Sequence, residues 1–239
     1  MSAVAGLTKQ LGFEVSGSDS KALYDPAKSV LDQLGIPYHV GYDASHVADL
    51  ADAIIIASAG EDENNPEVAA VVGRDQKLYS FSELLYELFE DKLRVVVTGT
   101  HGKSTTSALL GTMLQEIDDS SFMTGAVLTN SGRNFHLGDG HYVVFEGDEY
   151  KALYDDPTPK FTQYKPDILL LTNLEFDHPD VFNSVDEIRD ELAELIHKMP
   201  DDGVVVYNAD DIELAKLVHG TSLGLSLIHI SEPTRQAEI

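Results

Sequence analysis

The chain has 239 residues, 43% hydrophobic and 24% charged, with 16 basic against 41 acidic side chains and a formal charge of −25. That composition is globular rather than disordered, and so acidic a surface repels duplex nucleic acid and anionic membranes, leaving any anionic ligand to a local group of donors. No apolar run reaches the roughly 18 residues of a membrane span, and the absence of cysteine excludes disulfides, thiolate metal sites and a cysteine nucleophile; with no signal segment, a cytoplasmic location is expected.

Short β-rich apolar runs alternate with amphipathic stretches, the pattern of an α/β fold built on a mostly parallel sheet. In the first part, Phe13-Glu14-Val15-Ser16, Tyr38-His39-Val40 and Ala53-Ile54-Ile55-Ile56-Ala57 read as strands, with helices over 26–34, 65–74 and 81–91, together one Rossmann-like layer. Residues 60–66 form a polar loop whose Pro66 opens a helix. Leu93-Arg94-Val95-Val96-Val97 begins a second series: a helix over 103–116, strands near 121–127, 142–146, 167–172 and 203–207, and a helix over 185–198. The domain boundary is expected near residue 92, giving domains 1–92 and 93–224. Residues 151–166, with Pro157, Pro159 and Pro166, form a long ordered loop. Its Lys151, Lys160 and Lys165 either face an anionic substrate or belong to ordinary surface.

The strongest local signal is Val95-Val96-Val97-Thr98-Gly99-Thr100-His101-Gly102-Lys103-Ser104-Thr105-Thr106, a buried strand running through a glycine turn into a helix. Gly99 and Gly102 let backbone N–H groups approach phosphate oxygens, and the helix start adds partial positive charge. Lys103 neutralises the outer phosphates, and the Ser104 hydroxyl can ligate Mg²⁺. The spacing is Gly-x-x-Gly-Lys-Ser, tighter than the general Gly-x-x-x-x-Gly-Lys-[Ser/Thr]. The competing reading is a glycine turn with an exposed lysine.

That short form, with Thr100 and His101 inside it, resembles the Mur ligase superfamily of ATP-dependent amide-forming enzymes in peptidoglycan assembly. Two further segments fall where that family keeps metal-site residues: Phe145-Glu146-Gly147-Asp148-Glu149-Tyr150, and Thr172-Asn173-Leu174-Glu175-Phe176-Asp177-His178-Pro179-Asp180. Both follow expected strands, at the edge where α/β sheets bind ligands; alone, an Asp-His pair there is often just a turn. The resemblance implies a Rossmann-like N-terminal domain followed by a P-loop ATPase-type central domain. It implies an ATP site formed by Gly99, Thr100, His101, Gly102, Lys103, Ser104 and Thr105. Ser104, Glu146 and His178 would bind Mg²⁺, and Lys103, Glu146 and His178 would be the catalytic groups.

Thr-His-Gly-Lys, where other branches of the family commonly have Asn for His, resembles the branch that adds either a single L-alanine or a whole tripeptide. Other branches also carry a lysine in the helix after the Asp-His motif; here that position falls near Leu192, and the helix's only lysine is Lys198 at its end. The Glu146–Tyr150 segment, the loop with Pro159-Lys160-Phe161, Tyr164 and Pro166, and Asn173 to His178 look more like the tripeptide-adding members. The reaction so implied joins L-alanyl-γ-D-glutamyl-meso-diaminopimelate to UDP-N-acetylmuramate through an acyl phosphate, in peptidoglycan recycling. L-alanine is the alternative amine.

Gly12-Phe13-Glu14-Val15-Ser16-Gly17-Ser18-Asp19 resembles the second strand of the family's UDP-binding domain. Ser18 and Asp19 are then placed to contact the uridine moiety, although the same pair would serve as a helix cap. Met1 to Leu7 resembles the helix after the first glycine-rich turn, so the first strand is expected to be missing. Leu225-Ser226-Leu227-Ile228-His229-Ile230-Ser231-Glu232-Pro233-Thr234-Arg235 resembles a translated sequencing-library adapter. Residues 225–239 are therefore set aside from the fold as non-native. The family's later Asn, Arg and Asp residues and its amine-binding C-terminal domain have no counterpart, so these residues alone are expected to bind MgATP without forming an amide. An unrelated P-loop kinase is a third reading, against which stand the short loop and the later Asn-x-x-x-Asp-His.

Overall fold

The computed structural model describes residues 1–175 and 184–220, and the backbone of 226–230. The first part contains α1 (Ser2–Gln10), β1 (Gly17–Asp19), α2 (Ala27–Leu34), β2 (Tyr38–Val40), β3 (Ile55–Ile56), α3 (Pro66–Val72), β4 (Leu78–Tyr79) and α4 (Phe81–Leu88). Local chemistry sets the ends of these elements. Asn65 accepts from the Glu67 N–H with Pro66 at the first position of α3, and Ser80 accepts from the Glu83 N–H at the start of α4. β1 pairs parallel with β2, and β3 parallel with β4. They form two separate two-stranded ladders instead of the single layer expected. The first strand also lies later than expected: Gly12 turns the chain at φ 95°, Phe13 is exposed, and Gly17–Asp19 meets Tyr38–Val40.

The second part contains β5 (Leu93–Thr98), α5 (Lys103–Asp118), β6 (Ser121–Met123), β7 (Phe135–His136), β8 (Tyr142–Glu146), α6 (Lys160–Gln163), β9 (Ile168–Leu171), α7 (Val185–His197), β10 (Val204–Asn208), α8 (Ile212–Gly220) and β11 (Ser226–Ile230). These strands build one seven-stranded sheet in the order β11-β10-β9-β5-β8-β6-β7. All neighbours are parallel except β6 and β7. The strand expected over 121–127 stops at Met123, and the chain returns through Gly132 (φ 65°) as the short antiparallel β7. β11 falls in the stretch set aside at the sequence level. Its Leu-Ile-His-Ile run has strand-forming composition, and it continues the ladder of β10 from Val204↔Ser226 to Asn208↔Ile230.

Both faces of the sheet are covered, which is why its strands read as unbroken apolar runs. Val96, Phe145, Leu169, Leu171, Val205 and Tyr207 pack on one side against α1, α4, α7 and α8. Val95, Val97 and Val144 face α5 through Leu110 and Leu114. The first of these cores runs across residue 92: Leu7, Leu85 and Phe89 belong to it together with Phe145 and Leu169. Phe145 lies between the Phe89 ring, edge-on at 5.8 Å, and the Tyr164 ring, stacked at 4.7 Å. Leu192, which the resemblance puts near the lysine position of other branches, is buried in the same core. No helix among the described residues is long and apolar enough to cross a membrane.

The turn after α5 is held by carboxylates. Asp119 leaves the helix in the left-handed region at φ 47°, while Asp118 is bonded to the His141 ring at 2.9 Å, the Ser120 hydroxyl at 2.8 Å and the His141 amide at 2.7 Å. The His141 ring, then the Ser120 hydroxyl and the His141 amide, hold the Asp118 carboxyl at about 2 against an ordinary 3.8. A carboxyl whose folded value is depressed adds stability that is complete above the unfolded value; this contribution is lost as pH falls from 3.8 through about 2. An NMR titration should place the Asp118 midpoint near 2 and show it rising toward 3.8 in His141→Ala. A midpoint unmoved by that substitution would contradict the assignment.

Candidate functional site

Three neighbouring strands, β5, β8 and β9, deliver the site to one edge of the sheet. β5 is buried from Val95 to Thr98, so its end is rigid, and the chain then turns through Gly99 at φ 130° and Gly102 at φ 79° into α5. A side chain at Gly99 would place its Cβ 2.3 Å from Thr172 Oγ1 and 2.7 Å from the Asn173 carbonyl oxygen. The loop thus lies directly on the segment after β9, and only glycine fits there in that conformation. Asn173 fastens it: its carbonyl accepts from the Thr100 N–H at 3.1 Å and its Oδ1 from the His101 N–H at 2.8 Å. Thr172 Oγ1 donates to the His101 carbonyl at 2.7 Å, and Thr100 Oγ1 lies 2.8 Å from the Glu175 N–H that it accepts. The 16-residue α5 begins at Lys103, so its first-turn amides and the positive end of its dipole point out of the loop.

Glu146, the last residue of β8, reaches the start of that helix. Its carboxylate accepts from Ser104 Oγ at 2.7 Å, Ser107 Oγ at 3.3 Å and the Gly125 N–H at 2.5 Å. Lys103 Nζ donates to the Gly99 and Thr100 carbonyls at 2.9 and 3.0 Å and forms an ion pair with Glu149 at 3.0 Å. An ammonium, a hydroxyl and a carboxylate therefore converge beside a helix N-terminus, the chemistry that binds phosphate oxygens together with a hard divalent cation. Ser104 and Glu146 offer only oxygen donors, a set that fits Mg²⁺. Among the described residues no group of three or more His, Asp and Glu is arranged to hold a metal ion.

The structure places Glu146 against the loop of Gly99, Thr100, His101, Gly102, Lys103, Ser104 and Thr105 through its contact with Ser104. His178 lies outside the described residues. Ser18 and Asp19 stand at the end of β1; the Ser18 hydroxyl donates to Glu67, and Asp19 accepts from the Lys21 N–H at 3.0 Å. The three loop lysines do not act together. Lys160 is buried against Asp148 at 2.9 Å, Lys165 lies 4.1 Å over the Tyr86 ring, and Lys151 is exposed. Asn173 and Glu149 carry bonds to the loop that the sequence reading did not assign. Beneath the site, burial first and then the charges of Asp148 and Glu146 push the Tyr164 hydroxyl well above its ordinary value and keep it neutral.

A family profile described as the Mur ligase middle domain matches residues 97–236, and one described as the Mur ligase family, catalytic domain, matches residues 1–93. The chain belongs to the Mur ligase family. It is 35% identical over 216 residues to the UDP-N-acetylmuramate–L-alanyl-gamma-D-glutamyl-meso-2,6-diaminoheptandioate ligase of Escherichia coli, a match covering 90% of this chain and 47% of the relative. To the UDP-N-acetylmuramate–L-alanine ligase of Caldicellulosiruptor bescii it is 30% identical, over 98% of this chain and 50% of that one. The crystal structure of the UDP-N-acetylmuramate:L-alanyl-gamma-D-glutamyl-meso-diaminopimelate ligase from Neisseria meningitides superposes with a TM-score of 0.87 at 28% identity, covering 96% of this chain and 74% of that one. The chain spans about half the length of the curated Mur ligases it matches.

Proposed function

We propose that this chain is the nucleotide-handling portion of an ATP-dependent ligase that joins L-alanyl-γ-D-glutamyl-meso-diaminopimelate to UDP-N-acetylmuramate in the cytoplasm. The observation that carries the reading is the 2.7 Å contact between Ser104 and Glu146 beside Lys103 at the start of α5. In sequence the two readings stand almost level, 35% identity to the E. coli relative against 34% to the UDP-N-acetylmuramate–L-alanine ligase of Geotalea daltonii, with the tripeptide marginally ahead. It is also favoured by the TM-score of 0.87 to the tripeptide-adding enzyme, against 0.75 to an L-alanine-adding one from Thermotoga maritima. A boundary near residue 92 is supported by the two family profiles, which end and begin at residues 93 and 97.

A carboxylate and an amine do not condense at neutral pH, so the substrate carboxylate must first gain a leaving group. Its oxygen attacks the γ-phosphorus of ATP, the bond to the β-phosphate oxygen breaks, and ADP departs. The amine nitrogen then attacks the acyl carbon, phosphate leaves, and the nitrogen loses a proton. The chain's own contribution is positioning and charge. Gly99 to Thr105 cradle the outer phosphates, Lys103 neutralises the γ-phosphate, and Ser104, Glu146 and His178 would hold Mg²⁺, which when bound supplies further neutralisation of phosphate charge. Ser18 and Asp19 would meet the uridine.

Titration calorimetry of the 239-residue chain is expected to show MgADP binding, while mass spectrometry with ATP, UDP-N-acetylmuramate and tripeptide is expected to show no amide. Absence of MgADP binding would overturn the nucleotide reading. Amide made by this chain alone would overturn the assignment of the amine site to another part of the enzyme. In a chain extended to the relatives' full length, tripeptide should support phosphate release and L-alanine should not; the reverse selects the L-alanine reading.

A further inference from the structure

Beyond Glu146 the chain leaves the site as an arm. Gly147 is fixed to the end of β5 on both sides: its N–H donates to the Val97 carbonyl at 2.8 Å and its carbonyl accepts from Thr98 Oγ1 at 2.9 Å. Residues 148–160 then run out and back as a hairpin. Lys151 bridges to Pro159, the Ala152 N–H donates to the Thr158 carbonyl at 2.9 Å, and the Lys160 N–H closes the base on the Tyr150 carbonyl at 3.0 Å. Asp156 stiffens the tip by accepting from the Thr158 N–H and Oγ1 at 3.0 and 2.6 Å. Its other oxygen accepts from Gln163 Nε2 at 3.0 Å, and Gln163 Oε1 accepts from the buried hydroxyls of Ser80 and Ser82 where α4 begins.

The tip carries Leu153 into the first part of the chain. There it is buried with Ala57 and Val68, with Leu78 and Tyr154 packed alongside, in a core separate from the two that line the sheet. Val68 lies on α3 next to Glu67, which accepts from the Ser18 hydroxyl. The large core that seats α1 and α4 on the sheet includes no residue of α3 among the described residues. From this geometry, and resting on the proposed function above, we infer that Leu153 is a positioning residue that sets the spacing between the uridine-facing edge and the phosphate loop. A substrate held by its uridine at Ser18 must bring a carboxylate oxygen into line with the γ-phosphorus, so its reaction depends on that spacing. Binding of uridine or nucleotide alone does not. A misplacement of about 1 Å costs roughly 100-fold in rate.

The test combines kinetics with a direct distance. In the chain extended to the relatives' full length, Leu153→Ala is expected to lower kcat for phosphate release roughly tenfold or more, with KM for ATP and UDP-N-acetylmuramate kept within about threefold. The rate is taken per MgADP site counted by calorimetry, so that unfolded molecules do not enter it. Leu153→Met refills the space and should restore kcat; Leu153→Val, a smaller truncation that guards against failure to fold, should lower it less. The 239-residue chain has no cysteine of its own, so spin labels at Val72→Cys on α3 and Glu116→Cys on α5, both exposed, read the spacing. One narrow distance is expected with Leu153 or Leu153→Met, and a broadened or displaced one with Leu153→Ala. An unchanged distance in Leu153→Ala overturns the inference, as does a changed distance with kcat per site within twofold of wild type; in both cases turnover by wild type leaves the ligase reading standing. If the extended wild type releases no phosphate with UDP-N-acetylmuramate and tripeptide, the ligase reading falls and the inference with it.

Discussion

Lys103→Ala is expected to weaken MgADP binding about 100-fold, the equivalent of about 3 kcal/mol for one charge-assisted contact to phosphate. The side chain is largely buried and held by two loop carbonyls, so it is preorganised where an outer phosphate would lie. Its removal also leaves Glu149 without its 3.0 Å ion pair, adding local negative charge where the ligand is negative. Calorimetry with MgADP reads the first effect, and a melting curve of the free protein reads whether the loop survives. A loss of less than about fivefold in a folded variant, under 1 kcal/mol, would mean that Lys103 does not touch phosphate.

The second large effect is expected at Phe145→Ala, where about 3–5 kcal/mol of stability should be lost. Phe145 is wholly buried in β8, edge-on to Phe89 at 5.8 Å and stacked on Tyr164 at 4.7 Å. Truncation opens a cavity where the first part of the chain, through Phe89, meets the sheet. Urea unfolding should show the midpoint falling with the slope retained. Because Glu146 follows directly, MgADP affinity of the folded fraction should fall as well. A variant as stable as wild type would show that the ring's place is taken by a collapse of its neighbours.

The phosphate loop was legible because its physical requirements are consecutive: a buried strand, two glycines at positive φ, a lysine and a hydroxyl all fall between Val95 and Ser104. Glu146 was singled out by the family resemblance, since an acid ending the apolar run Tyr142–Phe145 reads by itself as no more than a turn. Glu149 stood in the same quoted segment, yet its partner is Lys103, 46 residues earlier, and no local pattern encodes a pairing at that separation. Likewise β7 and β4 are two-residue strands, too short to show alternation, and exist because a neighbouring strand offers backbone partners. The single Rossmann-like layer expected for the first part resolved into two ladders, since strand identity is local but sheet membership is not. Of the loop lysines, the sequence showed three cations but not that Lys160 is buried against Asp148.

The strand that ends in the phosphate loop has a consequence for how the protein is made. β5 is flanked by β8 and β9, with Leu93 opposite Tyr142 and Val95 opposite Ile168. During synthesis, the Val95-Val96-Val97 run leaves the ribosome with neither ladder partner yet translated. At roughly 5–20 residues per second the second partner follows about 4–15 s later. Throughout that interval the run is an unpaired apolar edge of the kind that seeks other chains. Yield of soluble protein should therefore depend on translation speed between codons 98 and 171 and on chaperone capture of the nascent chain, rather than on the stability of the finished sheet.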